Sequence, residues 1–289
     1  MGPELEKRIA ALAADRESGA SEILAAAIDI LRDAMDARDD VTAAAQAICR
    51  AQPAMASVWN AAIAAIAAID HPERFIQFAE RVKRAPTAIA RFTIQSLGAD
   101  RVSLRIVTLS YSATVLRALE TLATRYPPHV ACSESRPALE GRKLASRLAA
   151  MDIPVTFFSD AAIGQALDAA DAVLVGADAV APTFFLNKSG TRMLATAAGL
   201  HGVPVYVVAT RDKFISLAIA TRLENREGPP AEVWESPPAG VSVRNPYFER
   251  IPLDLVSSVI TDAGVIGAGS VPEFCSAHSV ELPGSLWNI

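Results

Sequence analysis

"TLSYSATVLRALETL", Thr108 to Leu122, decides the fold. It closes the β-branched run "SLRIVTL" and passes through a short polar turn. Beyond the turn, Val115, Leu116, Leu119 and Leu122 recur at helical steps of three and four. A strand running directly into an amphipathic helix is half of a βαβ unit, and the pattern repeats downstream. "HVACSES", "PVTFFSD", "DAVLVGAD" and "VPVYVVA" are further strands, and "LEGRKLASRLAAM", "AAIGQALDAA" and "TRMLATAAGLHG" are helices between them. Such alternation predicts an α/β unit over residues 99–289, a Rossmann-like, mostly parallel sheet with helices on both faces and right-handed crossovers.

Upstream, from Glu4 to Leu97, the period changes. "ASEILAAAIDILRDAM" and "SVWNAAIAAIAAID" repeat apolar residues every three or four positions, and alanine dominates, which permits close helix packing. Turn or cap chemistry at "ESGAS", "DARDD", "AQPAM" and "DHPER" divides the segment into about five helices. Residues 1–98 are therefore expected to be an all-helical domain.

At 51% hydrophobic residues the 289-residue chain can furnish a substantial core. A net charge of −5, with both signs interspersed, provides no basic stripe, so nucleic acid is not an expected partner. Cys49, Cys132 and Cys275 are odd in number and widely spaced, and His71, His129, His201 and His278 have no metal-ligand spacing. A cytoplasmic protein without a metal or other cofactor is expected. The N-terminus is charged and helical rather than signal-like, no apolar run is long enough for a membrane span, and Pro3 disfavours myristoylation after Gly2.

Parallel sheets gather ligands at the carboxyl ends of their strands. Four such ends carry polar residues: Ser110, Glu134 to Arg136, Asp160 and Asp178. Each has two readings. Asp160 either caps the next helix or meets a ligand. Arg136 either grips a phosphate with its planar fork or pairs with Glu134 or Glu140. Asp178, following an apolar strand, is a general acid or base if burial raises its pKa, and otherwise a cap. "NKSGT" offers Lys188 and a helix start as a phosphate cradle, although neither a Walker loop nor G-x-G-x-x-G is present. Arg91 either reaches an interdomain cleft or lies on a solvated helix face.

Together "TLSYSATVLRALETL", "ESRPALEGRKLASRL", "PVTFFSDAAIGQAL", "VLVGADAVAPTFFLNKSGTRMLA" and "VPVYVVATRDKF" resemble the family of eukaryotic translation initiation factor 2B regulatory subunits, the alpha, beta and delta chains. That family also contains 5-methylthioribose-1-phosphate isomerase and ribose-1,5-bisphosphate isomerase. The pattern is most similar to the alpha subunit and to the short archaeal-type isomerases. The resemblance implies a helical N-terminal domain, a Rossmann-like C-terminal domain, and a phosphosugar or nucleoside monophosphate pocket between them. It also implies a homodimer at least, with hexamers known in the family. Positions matching the family's ligand-binding stretches are Glu134, Ser135, Arg136, Asp160, Asn187, Lys188 and Lys213, with Gly19 and Ala20 in "ESGASEI".

In the isomerases the resemblance implies a catalytic cysteine in a "THC" segment and an aspartate in a "GAD" segment. Asp178 matches the aspartate, whereas Ser110 stands at the cysteine and Leu109 at the histidine. A hydroxyl ionises far more weakly than a thiol, whose pKa of about 8.5 can be lowered further. Asp178 itself leans towards the enzymes, since the alpha subunit usually has glutamate there. The leading expectation is a protein that binds a ribose-1-phosphate type of sugar in an isomerase-like cleft, with the standard chemistry undermined at Ser110. An active aldose-ketose sugar-1-phosphate isomerase using Asp178 is the second reading. The third is a non-catalytic module in which a nucleotide or phosphosugar controls assembly.

Overall fold

The structure, a computed structural model, describes residues 2–15, 19–98, 102–223, 227–279 and 283–286. Glu17 and Ser18 of "ESGAS" and Ala99, the first residue of the expected second unit, lie outside the described residues. None of the described helices is long and apolar enough to cross a membrane.

Helices α1 (Pro3–Ala14), α2 (Ala20–Asp36), α3 (Val41–Ala51), α4 (Ala56–Ala67) and α5 (Pro72–Leu97) form the N-terminal half. In α2 the stripe Ile23, Leu24, Ala27, Ile28, Leu31 and Ala34 is buried, as its spacing requires. In α4 almost every residue from Ala56 to Ala65 is buried, because it lies between its neighbours and its alanines allow close approach. Gly19 opens α2, and Glu22 reaches back to accept its N–H at 2.8 Å; Asp40 caps α3 by accepting from Ala43 N–H at 2.9 Å.

α5 joins the two halves. Phe75 and Phe78 in its first turns pack into the bundle core, whereas Ile89 and Leu97 near its end pack with the sheet. The bundle core also takes in Ala179, Leu186, Ile215 and Ile219 from the second half. Buried Asn60 of α4 completes the joint, donating through Nδ2 to the carbonyls of Asp212 at 2.7 Å and Phe214 at 2.8 Å.

The second half alternates β1 (Leu104–Thr108), α6 (Ala113–Ala123), β2 (Pro128–Ser133), α7 (Glu140–Ala149), β3 (Val155–Phe158), β4 (Ala172–Gly176), β5 (Ala179–Val180), β6 (Phe184–Lys188), α8 (Thr191–Leu200), β7 (Val205–Val208), α9 (Leu217–Ala220), β8 (Phe248–Pro252), β9 (Ser258–Thr261), β10 (Gly264–Gly267) and α10 (Val271–His278). The main sheet has seven strands in the order β10-β9-β7-β4-β1-β2-β3. All its pairings are parallel except β9 with β10. After β3 the chain returns to the other side of β1 as β4. The β1/β4 junction is thus the topological switch point, where open α/β sheets hold their ligands.

A second, antiparallel sheet, β5-β6-β8, sits beyond that junction. Within "NKSGT", Asn187 and Lys188 end strand β6. "AAIGQALDAA" is not the expected α-helix; it is a run of 3-10 turns over Asp160–Ala169.

Candidate functional site

The first strand-to-helix turn is held by a relay across three strand ends. Ser110 has φ 64°, the left-handed region a non-glycine residue seldom occupies without support. Its N–H donates to Ser135 Oγ at 2.7 Å. Ser135, also left-handed at φ 58°, donates its N–H to Asp160 Oδ1 at 2.8 Å, and Arg136 N–H donates to Asp160 Oδ2 at 2.7 Å. Asp160 is not the cap of the following turn. Both carboxylate oxygens hold the β2–α7 loop, and Ser159 takes the cap position of the following turn.

Two glycines let these elements close. A Cβ on Gly176, at the end of β4, would meet Ser112 Oγ at 2.7 Å, so the β1 turn lies directly against β4. A Cβ on Gly141, in the first turn of α7, would meet the Ser133 carbonyl oxygen at 1.7 Å. Leu109 does not face the site; it is buried in the core with Val107 and Val175.

Asp178 lies just past β4, its N–H donating to Leu186 O at 2.8 Å. It keeps some solvent access, yet the protein around its carboxyl is dense enough that burial raises its pKa; Glu140 adds to the rise, while Lys213 and Lys188 oppose it. Lys213 Nζ donates to the neighbouring Ala177 carbonyl at 2.6 Å. Lys188, 2% exposed, pairs with Glu140 Oε1 at 2.7 Å and lies 4.6 Å over the Tyr247 ring. Glu140 Oε2 is buried without a hydrogen-bond partner among the described residues. Two cations and two carboxyls thus share one poorly solvated corner, where small changes in geometry shift proton affinity.

Asp212, in the same "RDKF" segment as Lys213, is buried with its pKa raised chiefly by burial. A carboxyl with a folded pKa above its unfolded value lowers stability as pH climbs between the two, and the full cost persists above both. Asp178→Asn is therefore expected to melt higher than wild type at neutral pH and to lose less stability between mild acid and neutrality. Melting curves across that range check this; an unchanged profile contradicts it.

Several expected contacts are redistributed. The start of α8 does not form an open cradle, because Glu249 Oε1 accepts from Gly190 N–H at 2.8 Å and Arg192 N–H at 2.9 Å. Neither Glu134 nor Glu140 pairs with Arg136: Glu134 lies 3.9 Å from Arg142 and Glu140 holds Lys188. Arg136 is exposed and makes no ion pair among the described residues. Asn187 is buried and donates to Thr191 Oγ1 at 2.9 Å, fixing the β6–α8 junction. Arg91 is exposed over the Phe92 ring, 4.8 Å from its centroid, and does not line the cleft, since α5 turns Ile89, Ala90 and Thr93 inward instead.

Between the halves runs a cavity of about 410 Å³, within the range for small-molecule sites. Ala20 and Lys213 line it from opposite sides, with Ser21, Thr114, Thr210 and Asp212. Gly19 stands next to it at the cap of α2. Asp212 was legible beside Lys213; Glu140, Tyr247 and Glu249 gave no local signal, because their roles depend on packing from distant segments.

The model of the initiation factor 2 subunit family matches residues 5–268. The chain belongs to this family. A Pyrococcus furiosus protein named translation initiation factor eIF-2B subunit 2-like is 32% identical over 223 residues, covering 76% of this chain and 78% of that protein. The 5-deoxyribose 1-phosphate isomerase of Moorella thermoacetica is 37% identical over 164 residues, covering 53% of this chain and 47% of the enzyme. The match thus spans about half the length of that isomerase. The crystal structure of Pyrococcus horikoshii translation initiation factor eIF-2B superposes with a TM-score of 0.76 at 24% identity, covering 92% of this chain and 98% of the other, which shows a common fold. Within the family, then, stand both initiation-factor subunits and sugar-1-phosphate isomerases.

The three cysteines are remote from the Ser110 position in role. Cys49, Cys132 and Cys275 are buried and free, and burial pushes their thiols up to about 12, 11 and 12. None of them is poised as a thiolate.

Proposed function

We propose that the chain binds a phosphorylated sugar of the ribose-1-phosphate type in the cleft between bundle and sheet. The observation that carries this reading is Asp178 at the switch point, its carboxyl raised by burial with Lys188 and Lys213 beside it. Arg136, exposed and unpaired among the described residues, and Lys213 supply positive charge for the phosphate. Lys188, already closed onto Glu140, acts on Asp178. The relay from Asp160 through Ser135 to Ser110 fixes the strand-end turn. Membership of a family that includes sugar-1-phosphate isomerases supports the ligand class.

An aldose bearing phosphate on its anomeric carbon cannot simply open its ring, so conversion to the ketose needs an acid and a base placed together. Asp178 supplies one; Ser110, in the place the resemblance assigns to a cysteine, is a weak second. On this reading the cleft keeps one isomerase-like proton-transfer group with the other diminished, in a homodimer or larger oligomer. Ribose-1-phosphate, ribose-1,5-bisphosphate, 5-methylthioribose-1-phosphate and nucleoside monophosphates are each to be tested for thermal stabilisation and then assayed for ketose phosphate. A rise in melting temperature with a sugar phosphate is expected, and no rise with any of them defeats the proposal. Ketose that disappears in Asp178→Asn identifies an enzyme, whereas stabilisation without ketose identifies a binding or sensing role.

A further inference from the structure

α5 carries a second charged face. Arg74, Arg81 and Arg84 recur at seven and three residues, which at 3.6 residues per turn brings them to one side of the helix. Arg81 and Arg84, with Gln77 and Glu80, open onto a separate cavity of about 490 Å³ whose opposite wall is Arg211 and Asp262. Arg211 follows β7 and Asp262 follows β9, which are parallel neighbours. This cavity therefore lies at carboxyl ends of the sheet too, two strands away from the β1/β4 junction.

The cavity's own three arginines, Arg81, Arg84 and Arg211, differ in what they hold. Arg211 is closed onto Asp262, its Nε donating to Oδ2 and its N–H to Oδ1, both at 2.8 Å. Arg84 lies 3.2 Å from Glu80 at the surface. Arg81 is half-buried, stacks over Phe78 at 4.9 Å, and has no hydrogen bond or ion pair among the described residues. Burial first, and then the charge of Arg211, push its pKa down, while Asp262 and Asp212 act against the fall without pairing with it. A guanidinium taken partly out of water beside a like charge is unfavourable until an anion completes it. Its planar fork of donors matches the oxygens of a phosphate. The three guanidiniums outnumber the two carboxylates of Glu80 and Asp262, which leaves the cavity net positive. Its volume leaves room for an organic group beyond the phosphate.

We infer that this cavity is a second anion site, which takes the phosphate of a small phosphomonoester with Arg81 as its principal contact and Arg84 beside it. It adjoins the interdomain cavity across Glu80, which lines both, but its arginines belong to neither the Asp178 corner nor that cavity, and it does not depend on what the cleft binds.

Calorimetric titration of the full chain with inorganic phosphate tests it, using wild type, Arg81→Gln and Arg81→Lys. Loss of an unpaired charge leaves Arg81→Gln folded, melting at or above the wild-type temperature in phosphate-free buffer. Its phosphate site is expected to weaken by at least about tenfold, the worth of one charge-assisted contact. Arg81→Lys, which keeps the charge but not the fork, falls between. Ribose-1-phosphate is expected still to raise the melting temperature of Arg81→Gln, through the Asp178 cleft alone, so failure here and failure of the Asp178 cleft are told apart. An absence of phosphate binding to wild type, or an Arg81→Gln titration that matches wild type, overturns the inference.

Discussion

Gly141→Ala is expected to cost more stability than any other single methyl added to this chain's glycines. The new Cβ would lie 1.7 Å from the Ser133 carbonyl oxygen, 2.8 Å from the Ser133 carbonyl carbon and 3.0 Å from that of Glu134. All three atoms are backbone, at the end of β2 and the loop beyond it, so no side chain can turn aside. Relief requires α7 to move off the sheet, exposing the buried Leu144 and Leu148, and tears the loop that holds Ser110. Overpacking of this kind belongs to the rare substitutions beyond about 4 kcal/mol, which for a domain of this size lowers Tm on the order of 10 °C. Differential scanning fluorimetry reads it directly. Gly164→Ala, where an added Cβ meets nothing within 4 Å, serves as the control; a Gly141→Ala chain melting with the control contradicts the packing described.

Ser110→Cys has the largest expected effect on chemistry. Serine and cysteine share the same backbone demands, so the left-handed turn and the Ser135 contact persist, while the oxygen becomes a sulfur. A thiol ionises near pH 8.5, far more readily than a hydroxyl. A positioned acid or base contributes about 100-fold or more to proton transfer. Ketose phosphate formation from ribose-1-phosphate is accordingly expected to rise about 100-fold or more over wild type. Equal rates in the two proteins would show that the cleft lacks the other groups needed for turnover, and would leave binding as its function.

The sequence made some of this legible for physical reasons. Strands β1, β2, β4 and β7 are largely buried apolar runs and β3 is a β-branched and aromatic run at the sheet edge, so composition marks all five. β5, β6, β8, β9 and β10 escaped because they are two to five residues long and their antiparallel pairings, β5–β6, β6–β8 and β9–β10, interrupt the strand–helix alternation by which the others were read. The strand-end residues Ser110, Ser135, Asp160 and Asp178 were visible from polarity at the ends of apolar runs. What they do to one another was not. Nothing local shows that Asp160 is spent on backbone N–H groups, that Glu249 fills the start of α8, or that Lys188 closes onto Glu140. Each depends on a contact spanning between 24 and 59 residues. Of the two readings of Arg91, the solvated helix face is the one seen; helix α5 faces the bundle with one end and the sheet with the other, so a single amphipathic stripe could not choose between them.

The central claim, a phosphosugar held at the β1/β4 switch point, is tested most directly by a crystal structure of the chain with ribose-1-phosphate. The account predicts the sugar beside Asp178 and Ser110, with its phosphate within hydrogen-bond reach of Lys213 or Arg136. A sugar phosphate bound only elsewhere, or an empty cleft at saturating ligand, would contradict it.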